Sequence, residues 1–432
     1  MKKLVSILLC VLLVLTLVAC GSNNNNEKDP EASSEVVIQV PADVMSMDPQ
    51  WATDGQSFSA QNLCFAGLTQ LDADGNPVAD AAESWDISPD GCTYTFHLRD
   101  TYWSNGEKLT ANDFVYAWQR LVAPDFGSDY NWLLETANIV NADAYDPESG
   151  HTPADLGVKA IDEKTLEVTL TQPTGFFLQI VSFPSTFPLN QKFFESVGDQ
   201  YALSLDNMLF CGPYKMTSWD QGYGYSFELN DKYFDYENYK TKYANKLSFR
   251  IVADSQSALM EYNQGNLDYV ALSGAQVKAN ESVEGFQSRL GSYTFYLIEN
   301  INYIKKGAND ATGNLNVRKA ISYAIDREDI ATALNDGSIA AAGLVPFKLS
   351  ANPETGKDFR EDAGNLVEFN VDKAKEFYAA AKAELGRDIS IDLMYSSDQG
   401  DPEITAATRI AAQLEEVGFT VTLLFFQDKN PH

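Results

Sequence analysis

Histidine is nearly absent from this sequence. His97, His151 and His432 are the only three in 432 residues. A histidine-dependent hydrolase needs one of them oriented by a carboxylate beside a serine or cysteine nucleophile. His97 falls in a strand pattern on the face of Thr93, Thr95 and Arg99, where a solvated imidazole is the simple account. No GxSxG, HExxH, P-loop or GxGxxG run occurs, so catalysis by those routes is excluded. Cysteine is also sparse, at five, and none sits in CxxC spacing, which removes a zinc-ribbon or disulfide-framework fold. Positive charge is short: 31 Lys and Arg stand against 61 Asp and Glu, a formal charge of −30. Such a chain repels phosphate backbones, and general nucleic-acid binding is not expected. Long apolar runs are missing everywhere except at the start.

That start is informative. Met1-Lys2-Lys3 is a short positive region, and the apolar run from Leu4 to Ala19 is too short to span a bilayer but suits a secretory signal. It ends in Leu17-Val18-Ala19-Cys20, a sequence that looks like a bacterial lipobox. There the Cys20 thiol is diacylated and becomes the new N-terminus, and two acyl chains anchor stably where one is marginal. The polar stretch that follows, to about Ser34, reads as a disordered tether. The expectation is an exported, lipid-anchored protein on the extracytoplasmic face of a bacterial membrane. With Cys20 acylated, Cys64, Cys92 and Cys211 remain in the body of the chain. One bridge among them is open to the chain, and isolated buried thiols are the expectation.

The rest carries enough apolar and aromatic residues, 44 % and 12 %, for packed cores, and its length suits two or three domains. Strand and helix signals alternate throughout, giving a mixed α/β class. Tyr94, Phe96 and Leu98 share one face of a strand by their period of two. Leu166, Val168 and Leu170 do the same, as do Tyr225-Phe227-Leu229 and Leu247-Phe249-Ile251. Thr110-Ala-Asn-Asp113 resembles a capping box opening a helix that buries Phe114, Trp118 and Leu121. Asn316 is the expected cap of a helix burying Val317, Ala320, Ile321, Ala324 and Ile325. Near the end, the strand Ile389 to Tyr395, the helix Glu403 to Val417 and the strand Phe419 to Phe425 form a βαβ unit, so part of the sheet is parallel.

Two further patterns offer chemistry. Asp72, Asp74, Asn76, Asp80 and Glu83 place oxygens at five positions of an EF-hand loop, but Pro77 stands where the loop needs glycine. Asp74-Gly75 reads better as a hairpin turn with Pro77 entering the next strand, and no metal is expected. A glycosidase pair needs only two carboxylates, and spacing does not single one out among 61.

From Asn62 to Val122 the sequence resembles the oligopeptide-binding proteins of ABC importers, family 5 of the extracellular solute-binding proteins. The resemblance rests on Gly67-Leu68-Thr69, Leu71-Asp72-Ala-Asp74-Gly75, Ala82-Glu83-Ser84-Trp85 and Ser88-Pro-Asp90-Gly91. It continues in Tyr94-Thr95-Phe96-His97-Leu98-Arg99, Trp103-Ser104-Asn105-Gly106 and Thr110 to Arg120. Asp155 to Asp162, Pro184 to Pro188, Gly212-Pro213-Tyr214, Val317 to Ala320 and Ala324 to Arg327 follow in family order, so it covers nearly all of the chain from Val36.

The resemblance implies a two-lobed periplasmic-binding-protein fold of type II, α/β in class, with an extra inserted α+β domain. In this numbering, residues 1–19 are the signal and 20–34 the lipidated cysteine and tether. Residues 35–65 with 190–290 form the first lobe, 66–189 the inserted domain, and 291–432 the second lobe. Family members continue past the strand at Thr420 to Leu424, so the second lobe is expected to be incomplete here. The region after Tyr395 offers Ser396-Ser397-Asp398-Gln399 where some members present a basic residue to a ligand carboxylate. The implied function is capture of oligopeptides, by a monomer with no catalysis and no cofactor, for a membrane permease served by cytoplasmic ATPase subunits. Matching the family pattern makes Thr53-Asp54-Gly55 the segment that pairs with ligand backbone and places Tyr130 in the pocket wall, with Phe295 or Tyr296 facing the cleft from the second lobe. A glycan, a nickel chelate or a signalling peptide is the alternative ligand on the same fold. An exported carboxylate-dependent hydrolase is the alternative from another class.

Overall fold

The structure is a computed structural model that describes residues 34–291, 293–301, 311–347, 349, 352, 355–396 and 401–426. The signal run, Cys20, the tether up to residue 33, Ser397-Asp398-Gln399 and His432 lie outside the described residues. The elements that matter here are, in chain order, β1 (Glu35–Val40), α1 (Gly55–Cys64), β2 (Thr69–Leu71), β3 (Pro77–Ala79), β4 (Ala82–Ile87), β5 (Thr93–Leu98), α2 (Ala111–Leu121), β6 (Val158–Asp162) and β7 (Thr165–Thr169). They continue with β8 (Tyr214–Asp220), β9 (Gly224–Leu229), β10 (Lys246–Ile251), α3 (Leu315–Ala324), α4 (Val371–Leu385), β11 (Ser390–Ser396), α5 (Asp401–Val417) and β12 (Thr420–Phe426). The chain divides into two compact units. One holds Ala42–Gln70 and Pro77–Ile251 with most of β1; the other runs on from Val252 and includes Gln39–Pro41 and Leu71–Asn76.

The first unit contains two four-stranded sheets, ordered β1-β10-β9-β8 and β4-β5-β7-β6. Period-two burial builds the second sheet. Along β5 the residues Tyr94, Phe96 and Leu98 point inward while Thr93, Thr95 and His97 stay partly exposed. β5 pairs antiparallel with β4 and β7, setting Phe96 opposite Leu166 and Tyr94 opposite Val168. Helix α2 buries Phe114, Ala117, Trp118 and Leu121 on one stripe. At its start, the Thr110 N–H and hydroxyl both donate to Asp113 Oδ2, at 2.7 and 3.1 Å. Trp118 Nε1 donates to the Thr186 carbonyl at 2.8 Å, so the ring is buried with its polar atom satisfied. Each such side chain contributes about 1.5–3 kcal/mol of hydrophobic stabilisation. In the other sheet Tyr225 and Phe227 are buried, while Leu247, Phe249 and Ile251 are only half-buried. Gly212, before β8, has no room for a side chain: a Cβ there would lie 2.5 Å from the Cys64 carbonyl carbon and the Phe65 nitrogen.

The motif around Asp72 is a turn. Asp72 Oδ1 accepts from the N–H groups of Asp74 and Asn76, both at 2.9 Å, and Gly75 N–H donates to the Asp72 carbonyl. β2 and β3 pair on either side of it, as a hairpin requires. His97 is held at the surface by Asp86, 2.9 Å from Nε2.

In the second unit, α3, α4 and α5 pack with the parallel pair β11 and β12 around Val317, Ile321, Tyr378, Ile389, Leu414 and Phe419. The βαβ order β11-α5-β12 is as the sequence indicates. The cap of α3 is a correction: Asn314, not Asn316, accepts from the N–H groups of residues 316 and 317. Asn316 instead donates from Nδ2 to Glu384 Oε1 at 2.9 Å, a partner on α4 that is remote in sequence.

Two buried polar anchors tie segments of the first unit together. Arg120 grips Asp48 with both nitrogens, Nη1 to Oδ1 at 2.9 Å and Nη2 to Oδ2 at 2.6 Å, and both side chains are nearly buried. Its guanidinium also lies over the rings of Phe126 and Phe194, 3.8 and 4.7 Å from their centroids. Asp80 is buried as well. Tyr233 donates to its Oδ1 at 3.2 Å and Arg99 Nε donates to its backbone carbonyl at 2.8 Å. Burial outweighs these partners and pushes the Asp80 carboxyl up to about 7.

Two predictions follow from these anchors. Arg120→Ala leaves the Asp48 carboxylate buried and unpaired, and should destabilise the protein by about 3–5 kcal/mol in denaturant unfolding; a loss within about 0.5 kcal/mol would show the pair to be dispensable. The raised Asp80 group binds its proton more tightly folded than unfolded, so its contribution is complete below about pH 4 and is lost as pH rises through about 7. Asp80→Asn cannot ionise. Relative to the wild type, the variant should therefore gain stability between pH 4 and 8, and a pH-independent difference would contradict the assignment.

Candidate ligand-binding site

The site is best followed outward from Asp48. Its carbonyl accepts from the N–H groups of Trp51 and Ala52, which makes residues 48–52 a tight turn. Gln50 N–H donates to Asp48 Oδ1, and the Gln50 side chain, fully buried, donates to the Phe187 carbonyl at 3.0 Å. Arg120 Nη1 reaches Gln50 Oε1 at 3.3 Å. The turn is therefore fixed from both sides before the chain emerges at Thr53.

Thr53 is exposed, and neither its N–H nor its carbonyl has a hydrogen-bond partner among the described residues. Asp54 is the N-cap of α1. Its Oδ1 accepts from Ser57 N–H at 2.9 Å and its Oδ2 from the Ser57 hydroxyl at 2.5 Å. Ser57 Oγ in turn accepts from the N–H groups of Met45 and Ser46. The Asp54 carboxylate is thus committed to the helix, and Phe58 N–H bonds to its carbonyl at 3.1 Å. Gly55 is exposed, with open space where a side chain would stand. The free backbone of this segment is that of Thr53 at the mouth of α1.

One turn into α1, Phe58 joins an aromatic cluster. Its ring meets Tyr130 edge-on at 5.5 Å and Phe183 at 4.9 Å. Tyr130 also lies 5.2 Å from Phe183 and stacks at 5.8 Å on Trp132, whose indole is 45 % exposed. The backbone at Tyr130 is set by the same turn: Ser128 Oγ donates to the Gln50 carbonyl at 2.7 Å and accepts from Tyr130 N–H at 3.1 Å. Burial, with Asp129 adding to it, raises the Tyr130 phenol above its ordinary range, so it stays neutral and is a hydrogen-bonding hydroxyl at working pH. The patch combines half-exposed aromatic faces with unpaired backbone polar groups. That combination suits a flexible polar chain with apolar side groups, and its hydroxyl–carboxylate contact, Ser57 with Asp54, is buried in the helix cap.

Thr53, Asp54, Gly55 and Tyr130 lie in the first unit. Phe295 and Tyr296 belong to the second, where they are 77 % and 63 % exposed, and Tyr293 meets Phe295 edge-on at 5.6 Å. Reading the sequence alone passes over Phe58, Trp132 and Phe183, which complete the cluster. The contacts of Phe58 and Phe183 bridge long separations and leave no periodic trace; the local signals are the nearness of Trp132 to Tyr130 and the Asp54 cap, which puts Phe58 on the first turn of α1.

Comparison with known proteins bears on the chain as a whole. The model of bacterial extracellular solute-binding proteins, family 5 Middle, matches residues 76–430. A dipeptide-binding protein of Lactococcus lactis subsp. cremoris is 34 % identical over 422 residues, which are 95 % of this chain and 74 % of that protein. The oligopeptide-binding protein OppA of Bacillus subtilis is 31 % identical over 423 residues, 95 % of this chain and 75 % of that one. Among solved structures, Listeria monocytogenes OppA bound to peptide superposes with a TM-score of 0.81 at 32 % identity, covering 91 % of this chain and 77 % of that chain.

Proposed function

The chain belongs to family 5 of the bacterial extracellular solute-binding proteins, and from that premise we propose that it captures oligopeptides and delivers them to an ABC permease. The observation that carries the reading is the pairing of exposed, unpartnered Thr53 backbone with the Phe58–Tyr130–Trp132–Phe183 cluster. A peptide held extended offers N–H and C=O groups that add to such a segment like a strand, whatever its side chains. Each hydrogen bond contributes about 0.5–1.5 kcal/mol net, and apolar side chains add burial against the aromatic faces. Thr53, Gly55 and Tyr130 are the proposed ligand contacts of the first unit, with the Asp54 side chain holding the segment in place. Phe295 or Tyr296 supplies the contact of the second.

The proposed protein is a receptor and not an enzyme: it returns its ligand intact, works as a monomer, and leaves ATP hydrolysis to cytoplasmic subunits. Diacylation of Cys20 tethers it to the outer face of the membrane, with residues 20–34 as the leash. Residues 35–65 with 190–290, residues 66–189 and residues 291–432 are the proposed first lobe, inserted domain and second lobe. The separate sheets β1-β10-β9-β8 and β4-β5-β7-β6 support the first of these divisions.

Thermal unfolding with and without a mixed peptide library tests the reading. Peptides should raise the midpoint and sugars should not, with a stabilisation of about 2.7 kcal/mol at a hundredfold excess over Kd. Tyr130→Ala should diminish that shift, while Tyr223→Ala, at a residue 75 % exposed, should leave it intact. A wild-type midpoint that is indifferent to peptides, or equal shifts in both variants, would count against the proposal.

A further inference from the structure

We propose that Cys64 and Cys211 are a redox pair that closes into a disulfide outside the cytoplasm, joining the end of α1 to the loop before β8. Cys64 is the last residue of α1. The N–H groups of Cys211 and Gly212 both donate to its carbonyl, at 3.0 and 2.7 Å. That contact makes the two residues backbone neighbours, and a disulfide needs Cα atoms about 4.4–6.8 Å apart. Ala66 N–H donates to Cys211 Sγ at 3.4 Å, turning that thiol onto the segment after Cys64, while the Cys64 thiol takes a backbone hydrogen bond from Met216, in the segment after Cys211. Gly212 makes the approach close, since any side chain there would strike the 64–65 peptide.

Both thiols are fully buried, and Cys92, the remaining described cysteine, is partly exposed on β5's approach and contacts the Asp90 carbonyl. Burial pushes both ionisations far up, and a neighbouring Cys211 thiolate would push Cys64 further. Once the protein has folded reduced, neither thiol is a nucleophile. The bridge must therefore form before the site closes, during folding after export, where disulfides persist. The oxidant is a disulfide-bearing partner, small molecule or protein. One cysteine thiolate attacks it, releasing the first thiol and leaving a mixed disulfide. The second then displaces the other half. Two electrons pass to the partner, which leaves as two thiols, and the S–S bond joins Cys64 to Cys211. This proposal is independent of the ligand.

The test is peptide mapping of the full chain, taken from membranes without reductant, with free thiols blocked by N-ethylmaleimide in denaturant before digestion. A second sample is refolded in a glutathione/glutathione-disulfide buffer first. A species joining the Cys64 and Cys211 peptides, lost on reduction, with Cys92 blocked, is expected in at least one sample. Cys64 and Cys211 both blocked in both samples, or either one bridged to Cys92, would overturn the pairing.

Discussion

The bidentate contact between Arg120 and Asp48 is the constraint on which the first unit's proposed binding face depends. It joins the C-terminal end of α2 to a turn before α1, two stretches with no local reason to meet. Placing opposite charges in a nearly dry site is costly unless the geometry is good and the remaining polar atoms are satisfied. Both conditions hold. The carboxylate also accepts from Gln50 N–H, and the guanidinium spreads over Phe126 and Phe194. From the fixed turn, Gln50 and Ser128 carry the constraint to Tyr130, while Thr53 and the Asp54 cap carry it to Phe58. The two sides of the aromatic cluster are thus set by one ion pair.

This arrangement suits a site that must accept many sequences. A rigid frame holds backbone groups and aromatic faces in place, so ordering them costs little on binding, and specificity for particular side chains is not built into the frame. Many of the chain's carboxylates are occupied as turn and cap acceptors, such as Asp72 and, within the site, Asp54, or are paired with lysines at the surface. Asp80, at about 7, and Asp113, at about 6, are raised mainly by burial and hold structure together, the one through the Tyr233 hydroxyl and the other through Thr110.

Much of the fold was legible because it is written in local patterns. The alternation of Tyr94, Phe96 and Leu98 and the strand-helix-strand order at β11, α5 and β12 are decided by neighbours a few residues apart. The α3 cap shows where this ends. Asn314 and Asn316 are equally good caps on paper; the amides of both donate to the distant Glu384, and it is the Asn314 oxygen that accepts from the first helical N–H groups. The site is harder still. Thr53-Asp54-Gly55 and Tyr130 came from the family pattern, and Phe58, Trp132 and Phe183 from neither pattern nor period, because what unites them is ring contact made in the folded chain. The cysteines are legible in part: Cys64 and Cys211 are free buried thiols, as spacing suggested, and only folding sets their backbones one hydrogen bond apart.

Amide hydrogen exchange, with and without a saturating peptide mixture, tests the central claim most directly. The account predicts slowed exchange at residues 53–58 and 128–132 in the presence of peptides, with β5 in the buried sheet unchanged. Peptide binding detected by another probe without protection in those two stretches, or protection confined to other parts of the chain, would contradict it.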